Sequence, residues 1–329
     1  MRIAFVGVNH WHFRGFLGDF QIVPGVEVVG VSDPDAAVAK RVGEELGCRW
    51  SADFRELCRE VKPDFVLALG RHCDMAAEAD FLIDEGIPFA MDKPAGMSHA
   101  EVAATAEKAS RKGAFAAAAL VMRQGQLLEC LREYSGDEAF DYMSFRYHAH
   151  RTNHFEKAGC PWALDPAQAG GGVLVGLGVH YLDLFALLVG EAKVRVVSAT
   201  ISNRAEGRGV EDYAQVTLEA GGTLGLVQVG YLKPGKSDRH YCIRSARHYF
   251  AVGSDKTVDM TEFEGGTTKT LPFDSDRSAA RKVFAVDVLA RVRNGNLPVV
   301  DMTHMAAAMG LAQEAYRIAT PSLMPVGHP

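Results

Sequence analysis

The sequence has no CxxC pair among its cysteines, no internal repeat, no low-complexity tract and no dense run of lysine and arginine. Each absence excludes something. The six cysteines at 48, 58, 73, 130, 160 and 242 sit in a 329-residue chain that is long enough to bury a proper core in each half without staples. They read as reduced thiols in a cytoplasmic protein. A formal charge of −6 and a pI near 6.1 leave no electrostatic footprint for nucleic acid, and no basic cluster points to a membrane surface. The stretch from Met1 to Gly7 runs straight into an apolar strand, with no separate apolar segment and cleavage site. Neither an export signal nor a spanning segment is expected.

What is present is an ordinary globular composition, 48% hydrophobic and 23% charged, in a length that predicts two domains. From Arg2 to about Leu120, short apolar runs (3–6, 26–31, 65–69, 88–91 and 115–120, with a weaker one near 49) alternate with amphipathic stretches. The helices expected between them cover 12–20, 35–46, 53–60, 74–85 and a stretch after Ser98, where Ser98 and Glu101 form a capping box. This alternation predicts βαβ units on a doubly wound parallel sheet.

After about Arg123 the pattern changes. A helix over 124–134 leads to an alternating strand at 140–148, a polar loop, a glycine-rich helix and a series of strands at 194–202, 212–219, 223–232, 241–245, 249–252 and 268–271. Ala220-Gly221-Gly222 marks a tight turn, and helices over 276–293 and 302–319 finish the chain. The fold expected is α/β: a doubly wound parallel sheet over 1–122, then a domain over 123–329 on a large, mainly antiparallel open sheet with helices on one face, the last helices packing back on the first domain. An uncovered face of such a sheet calls for a partner, so a homo-oligomer, dimer or tetramer, is expected.

Directly after the first strand comes Gly7-Val8-Asn9-His10-Trp11-His12 and then a helix. A dinucleotide turn wants glycine at 7, 9 and 12, for the tight turn, for pyrophosphate approach and for helix–strand packing. Only Gly7 meets this. Asn9 is a substitute that reaches left-handed backbone, and His12 at a helix start faces a phosphate. The second strand ends at Asp33, about 20 residues after the turn, the spacing at which a carboxylate takes the adenosine ribose hydroxyls. The other reading of Asp33 is an N-cap for the next helix behind Pro34. A carboxylate there repels a 2′-phosphate, and no arginine follows it directly, so NAD is expected in preference to NADP.

Three stretches together resemble the family of glucose-fructose oxidoreductase and myo-inositol dehydrogenase, written Gfo/Idh/MocA. Asp92-Lys93-Pro94 is similar to its glutamate-lysine-proline motif, and the strand from Phe65 through Leu69, Gly70 and Arg71 to His72 is similar to one ending in Thr-Pro-Asn-His. The run from Ala169 through Gly170-Gly171-Gly172 to His180 and Asp183 is similar to the glycine-rich helix carrying the family's histidine. The resemblance implies a Rossmann domain followed by an α/β domain whose sheet mediates oligomerisation. It implies hydride transfer between nicotinamide and a carbinol carbon, with Lys93 binding the reacting hydroxyl and His180 acting as general acid/base. Cofactor contacts are then expected from Gly7, Asn9, His10, Trp11, His12, Asp33, Leu69, Gly70, His72, Asp92 and Lys93. The chain departs from the family at Gly176, where an aspartate one turn before the histidine is usual; Asp183, on a similar face, reads either as a neighbour that orients His180 or as a structural hydrogen-bonding residue.

Past the 140–148 strand, His150, Arg151, Asn153 and His154 are candidate substrate contacts, as are Arg123 and Trp162. Arg123 reads equally as a surface ion pair, Trp162 as core, and His10 and Trp11 as loop packing. His148 and His150 share a strand face by alternation, but no matched carboxylate or cysteine spacing accompanies them, and no metal is expected. The function expected is an NAD-dependent oxidoreductase acting on a sugar, cyclitol or related polyhydroxylated small molecule. The alternatives are a redox-neutral NAD-dependent glycoside-cleaving enzyme and a non-catalytic ligand-binding relative.

Overall fold

The computed structural model describes residues 1–190, 192–254, 256–273 and 277–319, and of Arg277 the backbone only. Asp276, where the penultimate helix was expected to begin, lies outside them. The chain clusters into two compact units. The first comprises Met1–Leu120, Phe155–Gly170 and Arg281–Ala307; the second comprises the described residues of Val121–His154, Gly171–Ala280 and 308–319.

The first unit alternates strand and helix as β1 (Arg2–Val6), α1 (Phe13–Gln21), β2 (Glu27–Ser32), α2 (Ala36–Leu46), β3 (Arg49–Ser51), α3 (Phe54–Val61), β4 (Phe65–Ala68), α4 (His72–Asp84), β5 (Phe89–Met91), α5 (His99–Lys112) and β6 (Ala116–Ala118). The strands form one parallel sheet in the order β3-β2-β1-β4-β5-β6. β4, β5 and β6 are buried along their whole length, which is why they read as continuous apolar runs rather than alternating ones. The order reverses between β1 and β4, the point at which such sheets open a ligand crevice beyond their carboxyl ends. Ser98 Oγ accepts the Glu101 N–H at 3.3 Å while the Glu101 carboxylate accepts from Met97 N–H at 2.8 Å, a capping box shifted back by one residue. Residues 281–307 belong to this unit: Phe284 packs against Phe16 with ring centroids 6.4 Å apart, and Arg281 pairs with Asp19 at 2.8 Å.

The second unit is built on β7 (Phe140–His148), β8 (Arg195–Ser202), β9 (Tyr213–Ala220), β10 (Thr223–Gly230), β11 (Asp238–Ser245), β12 (His248–Val252), β13 (Thr257–Glu262) and β14 (Thr268–Pro272). Their order is β14-β13-β12-β11-β7-β10-β9-β8, antiparallel throughout except for the β7/β10 pair. The β9–β10 turn uses positive φ at Gly221 and Gly222 (56° and 91°), the two-residue hairpin turn that only glycine and its near equivalents enter cheaply. β13 has no counterpart among the expected strands, because only Val258 and Met260 carry its inward alternation. The remaining helices are α6 (Gln126–Ser135), α7 (Asn153–Lys157), α8 (Pro166–Ala169), α9 (Val179–Val189), α10 (Arg277–Arg293) and α11 (Met302–Ile318).

The stretch Pro166–Val189 is long and apolar enough to cross a membrane by length and composition, with a mean hydropathy of 1.9. The most apolar 18-residue window within it is 78% buried inside the protein, and that burial accounts for its composition as a core segment.

Candidate functional site

The turn after β1 is held by its surroundings. Gly7 sits at φ +77°, and a Cβ there would lie 2.5 Å from the Gly70 nitrogen and the Leu69 carbonyl carbon, so no other residue fits. Leu69 N–H donates to Val6 O at 2.7 Å, which keeps the ends of β1 and β4 in register. Asn9 is absent from the residues at positive φ. It replaces a glycine for another reason: its side-chain amide donates to Gly159 O at 2.9 Å, while its backbone carbonyl accepts from Cys160 Sγ at 2.8 Å.

Asp33 is buried, and its two oxygens accept the backbone N–H groups of Asn9 (2.7 Å) and Asp35 (3.1 Å). Burial pushes its carboxyl up, against the pull of those two N–H groups. The cap of α2 is Asp35, which accepts from Ala37 and Val38; the cap reading of Asp33 is therefore corrected. Asp33 instead lines a cavity of about 220 Å³ together with Gly7, Asn9, Arg71, Gly159 and Trp162. Two carboxylate oxygens hold about four acceptor sites, so two remain for ribose hydroxyls after the backbone is served.

Beyond β5, Lys93 is 1% exposed, with its ammonium 5.3 Å from the Trp11 ring centroid, a cation–π contact. Asp92 beside it accepts from His12 Nδ1 at 2.7 Å. Burial alone would raise the Asp92 carboxyl; His12, Lys93 and His10 outweigh it and hold the group ionised, far below the usual range. His12 therefore turns to Asp92, and its backbone at φ −84° is ordinary helical entry. His10 accepts the His12 N–H through Nδ1 at 3.1 Å, and burial holds its pKa well below the usual value, so it is neutral. His72 donates through Nδ1 to Ala169 O at 2.7 Å and is pushed down to about 4, mainly by burial and then by Lys93.

Among the described residues, no group hydrogen-bonds Nε2 of His10 or His72, which leaves a buried polar atom on each for a ligand to satisfy. With the Gly7 cradle and the Asp33 acceptors, these residues fit a bound NAD. His10, His12 and Asp92 bring ligand atoms within 4.8 Å of one another. The 2.7 Å between His12 and Asp92 is a hydrogen bond, shorter than the roughly 3.3 Å that separates ligands on a tetrahedral ion, and Lys93 adds positive charge beside it.

Trp11 stacks on His10 with centroids 3.8 Å apart, and Trp162 lies 5.4 Å from Trp11, 5.9 Å from His10 and 5.1 Å from His72. These rings form one aromatic wall. Two groups here escaped sequence reasoning. Glu78 lies under Gly70, where a Cβ would be closer than 3.0 Å to its carboxyl, and burial raises that carboxyl to about 8. Its signal was present, since Glu78 shares the inner face of α4 with Met75, Ala79 and Leu82. Arg71, the other, lines the Asp33 cavity and pairs with Asp74 at 2.7 Å.

In the second unit, a π turn over Leu174–Gly178 leads into α9, and His180 on its first turn is 3% exposed. Glu211, buried beneath, accepts from Gly172 N (2.7 Å), Leu174 N (2.9 Å) and the Tyr316 hydroxyl (2.6 Å). Side chains at Gly171 and Gly172 would run into Tyr316 and the Glu211 backbone, which is the physical reason for the glycine run. Asp183 takes Arg123 in a fork, 2.8 and 2.7 Å. This pair is largely withdrawn from solvent rather than on the surface, the Arg123 side chain being 13% and that of Asp183 2% exposed. Arg151 pairs with Glu206 at 2.6 Å, and the His150 and His154 rings lie 5.2 Å apart, with Asn153 opening α7. β7 ends at His148, so His148 and His150 do not share a strand face.

Residues 1–119 match the family model described as the oxidoreductase family with an NAD-binding Rossmann fold, and residues 142–255 match the GFO/IDH/MocA C-terminal domain. The chain is 25% identical over 194 residues to trans-1,2-dihydrobenzene-1,2-diol dehydrogenase of Mus musculus, covering 59% of this chain and 56% of that enzyme. It thus spans little more than half the length of that relative. Similar solved structures include GenD2 from gentamicin A biosynthesis in complex with NAD (TM-score 0.83, 19% identity, 98% and 95% of the two chains). Levoglucosan dehydrogenase with NADH and levoglucosan (0.82, 12%, 97% and 98%) is another. An oxidoreductase from Agrobacterium radiobacter with NAD+, L-tartaric acid and magnesium (0.84, 16%, 98% and 97%) is a third. At these identities the likeness is one of fold.

Proposed function

Because the chain belongs to the Gfo/Idh/MocA family of oxidoreductases, we propose that it is an NAD-dependent dehydrogenase acting on a carbinol carbon of a sugar, cyclitol or related polyhydroxylated compound. When bound, the nicotinamide supplies or accepts the hydride. The observation that carries the reading is Lys93, a fully buried cation at the carboxyl end of a strand in an NAD-binding sheet. Its ammonium holds the reacting oxygen and stabilises the negative charge that develops on it, an effect strengthened by the exclusion of water. Burial keeps His10 and His72 uncharged, so neither competes with Lys93 for that charge. His180 takes the hydroxyl proton on oxidation and returns it on reduction. The substrate class draws support from relatives named for a diol and for levoglucosan.

Asp33 in its cavity supports NAD over NADP, since a 2′-phosphate would meet a buried carboxylate. Six free cysteines support a reducing cytoplasmic setting. Val197 and Leu224, exposed apolar residues on β8 and β10, support self-association as a dimer or tetramer, which light scattering on the purified protein measures.

The test is a fluorescence titration with NADH and NADPH, followed by a screen of polyols for NAD+ reduction. Micromolar binding of NADH with reduction by a subset of polyols is expected; no NADH binding overturns the reading. The crowding at Gly176, where a carboxylate has no room, favours one second reading, a ligand-binding relative without turnover. Tight NADH binding with no reduction by any polyol selects it.

A further inference from the structure

The geometry around Gly176 points to Tyr231 as a positioning residue for His180, its hydroxyl standing in for the side chain that position 176 lacks. For its catalytic consequence the inference rests on the dehydrogenase reading; for its structural content it does not. Gly176 precedes His180 by four residues, about one turn, so a side chain at 176 would project over the face from which the imidazole rises. That space is filled. A Cβ built on Gly176 would meet the Tyr231 hydroxyl oxygen closer than 3.0 Å and its Cζ at 3.6 Å. The ring therefore arrives end-on, polar tip first.

Tyr231 is 7% exposed and follows directly on β10, and its backbone N–H donates to Asp212 O at 2.7 Å. The strand and this bond fix where the phenol can reach. Gly176 itself is not at positive φ, so its backbone does not demand a glycine; among the described residues it is Tyr231 that crowds the position. Position 176 and Tyr231 are thus two alternative routes by which one polar atom reaches one place: through the helix itself, or through the neighbouring strand. A phenol differs from a carboxylate in being neutral and able both to donate and to accept. It can select the tautomer of a histidine without adding negative charge beside it.

The test reads the imidazole directly. With 15N-histidine labelling and the His180 resonances assigned by their loss in His180→Gln, the ring-nitrogen shifts report the tautomer in wild type and in Tyr231→Phe at one pH. A clear change in the two nitrogen shifts is expected in Tyr231→Phe, together with a fall in kcat of about tenfold or more at unchanged NADH affinity. The double variant Gly176→Ser/Tyr231→Phe, in which the serine occupies the space the phenol oxygen vacates, is expected to recover most of both. Identical His180 shifts in wild type and Tyr231→Phe, both folded by their melting curves, overturn the inference whatever the turnover. A wild type that turns over no polyol removes the dehydrogenase reading while the spectra still decide the role of Tyr231.

Discussion

The Tyr316 hydroxyl donates to the Glu211 carboxylate at 2.6 Å, directly beneath the N–H groups of Gly172 and Leu174 that the same carboxylate receives. One buried acid therefore joins α11, the chain ahead of β9 and the start of the segment that carries His180.

Removing a partner from a buried carboxylate costs about 1–3 kcal/mol. Tyr316→Phe is expected to lower the denaturant midpoint by that order without changing its slope. Glu211→Ala is expected to cost more, since it strands two backbone donors and the phenol. A midpoint unchanged in Tyr316→Phe, measured by urea unfolding, would show that the contact contributes nothing to stability.

Glu78 makes stability depend on pH in a defined direction. Its ordinary value is 4.5 and burial lifts it to about 8 in the folded protein. Below 4.5 both states hold the proton. Between the two values the folded state keeps a proton that the unfolded state releases, so stability falls as pH rises and levels off above about 8. The loss is on the order of 5 kcal/mol. Glu78→Gln is expected to melt at the same temperature as wild type near pH 4 and at a higher one at pH 8.5.

Asp33→Ser removes the carboxylate while leaving a small polar group. Affinity for NADH is expected to fall about tenfold, the loss of roughly one charge-assisted hydrogen bond, while NADPH gains relative to it. Paired titrations with the two reduced cofactors give the ratio, and an unchanged ratio would remove Asp33 from cofactor selection.

Lys93→Ala is expected to abolish measurable turnover and to leave NADH affinity within a few-fold of wild type, because the ammonium acts on the reacting oxygen rather than on the dinucleotide. Stopped-flow hydride transfer and an NADH titration on the same preparation separate the two effects. A rate like that of wild type takes Lys93 out of the mechanism.

The parallel sheet was legible because β1, β4 and β5 are short apolar runs separated by helices, the last of them with a visible cap at Ser98. β13 was not, since two inward residues make too weak an alternation. Asn9 and His12 looked like eroded glycines. Their real partners, Gly159 and Asp92, lie 150 and 80 positions away, and no local pattern carries such pairings.

By itself the sequence determined the alternation of strand and helix, the glycine at position 7, and the presence of Lys93 and His180 in recognisable motifs. These depend on backbone conformation and on period, which neighbouring residues dictate. Only the tertiary structure decided that Asp33 lines a cavity rather than capping a helix, that Asp183 answers to Arg123, and that Tyr231 fills the place of a side chain at Gly176. Those outcomes turn on which distant groups arrive within hydrogen-bonding reach once the core has closed.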